Sequence, residues 1–444
     1  MKIASQPAQP VESANGNSST EINRVFPHKV CINLDRRPDR WVEMQKKFER
    51  HGIRDVRRFS ALDGRQQAVP PEWTSTNGAY GCLLSHLNVV DEARRLGAPS
   101  VLIFEDDVVF DARFQENFRV YFDQLPRDWD MLHFGALHLD DPIEISRNVH
   151  QIQRAYSTYA YALNHTVFDE FLELSGKATG PVDVSNLALQ TKHACYCFAP
   201  HLAWVESDYS DAQEREKNHW YLKESVVVHG SAMDRLLRET CMIIAHQNEQ
   251  RSESATRSLL FLAGFYAQRL RGINVIIVEQ DEEPTISSAS LPDGCQHVLL
   301  RAKGPLNRGR CFNRGMSIAP PDCKLIIFSD NDIFIEEWDI CGNLKMCDRY
   351  DCTTGFGSII ELNSSDSLRL QSDKDLHMRW FDPSGYTKHE NGSTFSQYSV
   401  FNRQIIEAGR GWQEELGQSK TLALRQNQPL RVFAPPNFAL RLNH

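Results

Sequence analysis

Two stretches decide how this chain folds: Val101-Leu-Ile-Phe-Glu-Asp-Asp-Val-Val-Phe110 and Leu325-Ile-Ile-Phe-Ser-Asp-Asn-Asp-Ile-Phe-Ile335. Each begins as a strand-length apolar run of the kind that is buried on both faces of a parallel sheet. Each then ends in clustered carboxylates. Glu105, Asp106 and Asp107 repel one another there, as do Asp330 and Asp332, unless a cation offsets them. Open α/β sheets bind ligands at the carboxyl ends of their strands. A hard divalent ion at that place bridges carboxylates to a diphosphate and takes up charge on a departing nucleotide. A single acidic tripeptide equally suits a turn or helix start stabilised by the helix dipole. Two of them, each closing a long apolar strand, weigh toward metal–diphosphate sites.

Working outward, the same rhythm surrounds both stretches. In the first, a strand over 29–34 leads to Trp41, Met44, Phe48 and His51 at helical spacing, stopped by Gly52. A strand over 56–59 follows, then a helix over 81–96 with Leu84, Leu87 and Val90 on one face and Gly97 beyond its end. In the second, strands over 241–245 and 274–278 alternate with helices over 254–268 and 310–319. This alternation predicts α/β layers in each half. The charged segment 207–238 lacks a long apolar run and is the expected boundary. The expected domains are therefore a tail over 1–24, a first domain over 25–225 and a second over 238–444. The tail is polar, without the apolar core of a secretory signal.

The 444 residues include 41% hydrophobic and 24% charged, which excludes collagen-like, fully disordered and disulfide-scaffold chains. The net charge of −9 gives no global basic field for nucleic acid or anionic lipid. No apolar run approaches the ~18 residues of a spanning helix. Eleven cysteines, an odd number without a CxxC pair, read as reduced and mostly buried thiols. The expected location is cytoplasmic, with peripheral contact at an inner membrane left open.

The first half carries an ordered set of motifs: Val30-Cys-Ile-Asn-Leu-Asp-Arg-Arg-Pro-Asp-Arg-Trp41, Ser60-Ala-Leu-Asp-Gly64, Gly81-Cys-Leu-Leu-Ser-His-Leu87, Phe104-Glu-Asp-Asp-Val108, Ala160-Tyr-Ala-Leu163 and Pro181-Val-Asp183. Over about 27–210 it resembles glycosyltransferase family 25, which includes lipooligosaccharide and collagen galactosyltransferases. The resemblance implies a GT-A fold, a UDP-sugar donor and Mn2+ or Mg2+. The residue chemistry agrees. Asn33, Arg36, Arg37 and Arg40 lie at or just past the first strand end, where guanidinium forks suit a diphosphate; solvated surface arginines are the plain alternative. Asp63 is a nucleoside contact or a turn residue. Ser85 and His86 are donor-side candidates or core residues. Glu105 is a donor candidate, and Asp106 and Asp107 are metal candidates. Asp183 is a catalytic base candidate or a helix cap.

The second half contains Cys241-Met-Ile-Ile-Ala-His-Gln-Asn-Glu249, Val275-Ile-Ile-Val-Glu-Gln280, Leu306-Asn-Arg-Gly-Arg-Cys-Phe-Asn-Arg-Gly315, Ile327-Phe-Ser-Asp-Asn-Asp332 and Gly411-Trp-Gln-Glu-Glu-Leu416. It is similar to the β-1,4-galactosyltransferase and chondroitin-polymerase group, which implies a second GT-A fold with UDP-sugar and Mn2+. His246, Asn248, Arg251 and Glu279 follow strands where base and ribose would lie. Arg310 and Asn313 precede the acidic strand, and Asp330 and Asp332 are the metal carboxylates. His389 is a further ligand candidate or an exposed loop residue. Glu414 and Glu415 are paired carboxylates for acceptor grip and proton removal. Two departures stand out: Asn331 replaces the usual middle residue of the acidic tripeptide, and Glu415 stands where the group has aspartate.

Together these readings describe two tandem GT-A domains in a bifunctional, inverting, metal-dependent glycosyltransferase. The donors would be UDP-galactose or a UDP-N-acetylhexosamine, and the acceptor a glycan such as lipopolysaccharide or capsule. Alternatives are one catalytic domain with a degenerate binding domain, glycosylation of a protein or modified nucleobase, and a nucleotidyltransferase. No nucleic-acid partner is expected.

Overall fold

The computed structural model describes residues 20–442 apart from 207, 214, 218, 226, 228–229, 373–385, 387, 391–396, 410, 413–429 and 436–437. It is mixed α/β, with one large sheet in each half of the chain. The first sheet runs, edge to edge, Val56–Ser60, Lys29–Asn33, Ser100–Glu105, Ala160–Asn164, Met131–His133, Cys195–Phe198, Val149–Gln151 and Ile143–Ser146. The second runs Cys295–Arg301, Asn274–Asp281, Thr240–His246, Leu325–Asp330, Tyr398–Asn402, Cys352–Thr353 and Val432–Phe433.

The two acid-ended strands sit in the same surroundings. Ser100–Glu105 pairs in parallel with Lys29–Asn33 and antiparallel with Ala160–Asn164. Leu325–Asp330 pairs in parallel with Thr240–His246 and antiparallel with Tyr398–Asn402. Just past the acids, Val108–Phe110 pairs antiparallel with Ala203–Val205, and Ile333–Phe334 with Phe438–Arg441. Each half thus brings a late strand back beside its carboxylates. The architecture repeats although the sequence does not.

The helices follow their local signals. Pro38–Arg50 begins with Pro at its first position and ends before Gly52, whose φ of +61° is costly for a residue with a Cβ. Asn77–Arg95 starts earlier than the apolar spacing predicts, because the Thr76 side chain caps it by accepting from the Ala79 N–H. Its inward face carries Leu83, Val89, Val90 and Ala93, whereas Leu84 and Leu87 stay half-buried. The predicted tail also ends early. Glu21–Val25 is helical, Ile22 is buried, and Thr20 and Asn23 both donate to the Gly52 carbonyl, at 3.0 and 2.9 Å.

The charged segment between the halves is not a loose tether. Trp220, Tyr221 and Leu222 are buried in one apolar core that includes Phe104 and Phe134 on one side and Tyr266, Ile333 and Tyr398 on the other. The Trp220 indole N–H donates to the buried Asp339 carboxylate at 2.6 Å. Among the described residues, no helix is long and apolar enough to cross a membrane.

Candidate functional site

The first strand, Lys29–Asn33, delivers Asn33 into the acidic edge. Its amide donates to Asp106 Oδ2 at 2.6 Å and to the Arg37 carbonyl at 2.9 Å, while Oδ1 accepts from Arg58 at 2.7 Å. Arg40, one turn into the following helix, is 8% exposed and lies 3.1 Å from Asp106, 3.6 Å from Asp107 and 3.9 Å from Asp211. Arg37 reaches Asp211 at 2.7 Å, and Arg36 bonds both Asp211 and Asp63, the latter at 3.0 Å. The predicted arginines therefore converge, but they converge on carboxylates of this chain. Asp211 is the member that sequence reasoning missed; its charged surroundings gave no apolar pattern to mark it.

Burial pushes the Asp107 carboxyl up to about 7, with Glu105 and Asp106 adding and Arg40 opposing. Asp106 is raised for the same first reason, against the pull of Arg40 and Asn33. Asp107 Oδ1 is sealed from solvent without a hydrogen-bond partner among the described residues. Asp63 is held low, first by Arg65, which it also caps in the turn Gly64–Gln66. Glu105 accepts from Thr158 at 2.8 Å and lies 3.5 Å from His86 Nε2, whose Nδ1 meets the Tyr161 hydroxyl at 3.0 Å.

Ser85 is fully buried. It donates to the Gly81 carbonyl at 2.7 Å and accepts from the Leu62 N–H at 2.9 Å. It is a staple that seats the Ser60–Gly64 motif on the helix, and Gly81 permits the contact: a Cβ there would stand 2.3 Å from the Leu62 carbonyl. Asp183, half-buried in the first turn of Val182–Gln190, accepts from the Val184 N–H at 3.0 Å. Burial raises the Cys82 thiol, with the charges of Glu105, Asp183, Asp107 and Asp106 adding to the rise.

In the second half, Arg308 grips Asp330 with two bonds of 2.6 and 2.8 Å, a fork the sequence reading assigned to no residue. The predicted Arg310 is exposed. Helical spacing explains the exchange, since residues two apart on a helix point to different sides. Burial pushes Asp330 up to about 6, against Arg308. Asp332 is raised by burial, lies 3.5 Å from Arg441 and keeps Oδ1 buried without a hydrogen-bond partner among the described residues. Asn331 donates to His246 Nδ1 at 2.7 Å, so the departure at the middle position has a purpose: it fixes the buried histidine beside the acids.

Other predicted residues are occupied with holding the fold. Asn248 ties the turn before Glu253–Arg269 through Ser252 and Thr256. Arg251, at φ +50°, is exposed on the rim of a groove that includes Asn248, Thr256, Arg257 and Gln371. Burial pushes Glu279 up, but bonds from His297, at 2.8 Å, and Thr285 outweigh it and hold the carboxyl low. Asn313 clamps Trp412 by exchanging bonds of 3.0 and 2.8 Å with its backbone. Trp412 is fully buried against Phe328 and Phe401. His389 is exposed on Lys388–Glu390, at the far edge of the four-stranded sheet from Ile333–Phe334, roughly 14 Å away at three strand spacings. Glu414 and Glu415 lie outside the described residues.

Known proteins place the first half. Residues 26–185 match the family model described as Glycosyltransferase family 25 (LPS biosynthesis protein). The N-terminal region is similar to a glycosyltransferase family 25 domain, and the relatives that share it carry the name glycosyltransferase. A glycosyltransferase 25 family member of Anopheles gambiae is 30% identical over 151 residues, 29% of this chain and 25% of that protein. Putative glycosyltransferase R655 of Acanthamoeba polyphaga mimivirus is 24% identical over 209 residues, 41% of this chain and 64% of its own length. The matched part is about a quarter of the length of the insect relatives. Among solved structures, S. aureus TarS residues 1–349 align over 46% of this chain and 60% of that one, at 11% identity and a TM-score of 0.28.

Proposed function

We propose that the chain is a glycosyltransferase with a nucleotide-sugar site at the acid-ended strand of each half, the two halves forming tandem GT-A domains. The observation that carries this is the repeated placement of carboxylates between a parallel first strand and an antiparallel partner, each with one buried, unpartnered oxygen, at Asp107 and Asp332. Arg40, Arg308 and Arg441 already offset part of the acidic charge, so repulsion alone does not demand a metal. The unpartnered oxygens and the all-oxygen donor set fit Mn2+ or Mg2+. Asp106 with Asp107, and Asp330 with Asp332, would hold it. The ion would supply charge neutralisation for the leaving diphosphate.

The chain's own groups do the rest. Arg36 and Arg37 exchange Asp211 for donor phosphate oxygens. Asp183 takes the proton of the acceptor hydroxyl as that oxygen attacks the anomeric carbon from the face opposite the nucleotide, which inverts the linkage. In the second half Glu414 or Glu415 would take that proton. UDP-hexose or UDP-N-acetylhexosamine is the donor class, and a glycan such as lipopolysaccharide is the acceptor class.

UDP release from a panel of UDP-sugars, with and without Mn2+ and candidate acceptors, tests this. Absence of release from every donor, in protein shown to be folded, rejects it. A second reading keeps the second half for binding only. The bidentate hold of Arg308 on Asp330 favours it, since both oxygens of that carboxylate are taken. Transfer that survives Asp330→Asn unchanged would support that reading.

A further inference from the structure

His138, Cys197 and His201 form a buried group that the donor sites leave unused. The three side chains are 4%, 0% and 4% exposed, and each offers a donor atom within 4.8 Å of the others. They come from three places: the strand Leu137–His138, the strand Cys195–Phe198, and the turn before Ala203–Val205. The His201 ring has a defined direction. Its Nδ1–H donates to the Leu222 carbonyl at 2.9 Å, which leaves the lone pair on Nε2 with only a 3.5 Å approach from the Ala136 N–H. A backbone carbonyl bonded to one ring nitrogen is the usual way a protein aims the other at a metal. His138 Nδ1 is buried with no hydrogen-bond partner among the described residues. The Cys197 thiol meets only the neighbouring Phe198 carbonyl, at 3.5 Å. The backbone packs closely against this ring, since a Cβ at Gly135 would stand 2.1 Å from the Ala203 carbonyl and 3.1 Å from the His201 ring.

As a purely packed core, this arrangement strands a desolvated nitrogen beside a spare imidazole lone pair and a thiol. As a ligand set it supplies three donors. Two nitrogens and one sulfur suit a borderline-soft ion, unlike the oxygen-rich edge at Asp106 and Asp107. A tetrahedral ion needs donors roughly 3.4–3.7 Å apart, and these three lie within 4.8 Å of one another. Burial lowers His138 to about 3 and His201 to about 4, so both rings are unprotonated, as ligation requires.

We propose that His138, Cys197 and His201 bind one zinc ion as a structural site separate from the acid-ended strand. Binding forms two Zn–N bonds and one Zn–S bond, releases the Cys197 thiol proton to solvent, and leaves a fourth position for water. The site holds the segment that joins the two halves: His201 is bonded to Leu222, and His138 bridges Val227. Trp220, two residues before Leu222, anchors on Asp339 of the second half. The Cys82, His86 and Glu105 group is a different cluster that belongs to the donor edge, and it serves as the control.

The test uses the full chain purified without chelator, with elemental analysis for zinc, followed by exchange of zinc for Co2+. One equivalent of zinc is expected, with a thiolate-to-cobalt absorption band after exchange. Cys197→Ser should abolish the band and Cys82→Ser should keep it. His138→Gln should weaken zinc binding at least a hundredfold, and Asp106→Asn should leave zinc content unchanged. A folded wild-type chain that neither carries zinc nor takes up one equivalent on addition overturns the proposal, as does a cobalt band that survives Cys197→Ser. If the variants fail to fold, proton release decides on the wild type alone: one proton per zinc supports the site, none refutes it.

Discussion

The two acidic edges meet the same electrostatic problem with different residues. In the first half, Arg36, Arg37 and Arg40 rise from the first strand end and the helix after it, and share Asp211, Asp106 and Asp107 among them. In the second, Arg308 comes from the helix before the acidic strand and is committed to Asp330, while Arg441 returns on the last strand toward Asp332. A turn after the late strand brings a carboxylate, Asp211, to the first site, and the last strand brings a cation, Arg441, to the second. The first edge holds a loose reserve of arginine that can turn to a diphosphate. The second commits Arg308 to Asp330 and shares Arg441 between Asp332 and Glu361. On the function proposed above, that difference favours the first half as the readier donor site.

The largest expected effect separates the halves directly. Asp106→Asn should lower transfer by about 10²–10³-fold, the scale of removing one preorganised charged contact. Asp330→Asn should lower only the transfer that belongs to the second half. Rates for each acceptor, measured on both variants, break the comparison if the two substitutions act alike on every product.

Stability should divide the same way, with smaller numbers. Arg40→Ala leaves Asp106 and Asp107 facing each other around a side chain only 9% exposed, and should cost about 3–5 kcal/mol. Arg308→Ala removes a fork from a side chain that is 38% exposed, so water softens the loss to about 1–3 kcal/mol. Urea unfolding of the two variants ranks them. Equal losses would mean that the second edge is as dry as the first.

These partners also mark where sequence was legible. The acid-ended strands, the two α/β blocks and the convergence of Asn33, Arg36, Arg37 and Arg40 follow from apolar runs and motif order, because hydrophobic patterning fixes which strand ends lie together. Asp211 and Arg441 were not legible. Asp211 reaches its edge from a turn and Arg441 from a strand, both distant in sequence, and a charged residue in a polar stretch carries no periodicity. Arg308 against Arg310 turned on helix phase, which a boundary error of two residues reverses. Ser85 and Glu279 fit their motifs yet serve the fold, since a motif records which residues are present, not whether their hydrogen bonds are already spent.

The pH response should distinguish the edges more finely. A carboxyl raised above its ordinary 3.8 binds more protons folded than unfolded, so its contribution is full at low pH and is lost as pH rises through the folded value. For Asp330 the loss is complete above about 6, and for Asp107 it continues to about 7. Between pH 6 and 7 the wild type should therefore lose stability that Asp107→Asn does not lose. Melting temperatures of the two proteins across that window check it; parallel curves would show that Asp107 is already ionised well below 7.

The smallest effect bears on Arg310. It is exposed, and its N–H is bonded within its own helix cap to Asn307 Oδ1 at 3.0 Å. Arg310→Ala should change stability by less than ~0.5 kcal/mol, as surface substitutions do. A solvated guanidinium reaching for a phosphate contributes at most about 1 kcal/mol. Donor affinity should therefore fall by no more than about fivefold, read as a rise in donor KM with kcat unchanged. A larger fall, or a drop in kcat, would mean that Arg310 swings onto the diphosphate when donor binds. The second edge would then possess the loose arginine that now distinguishes the first.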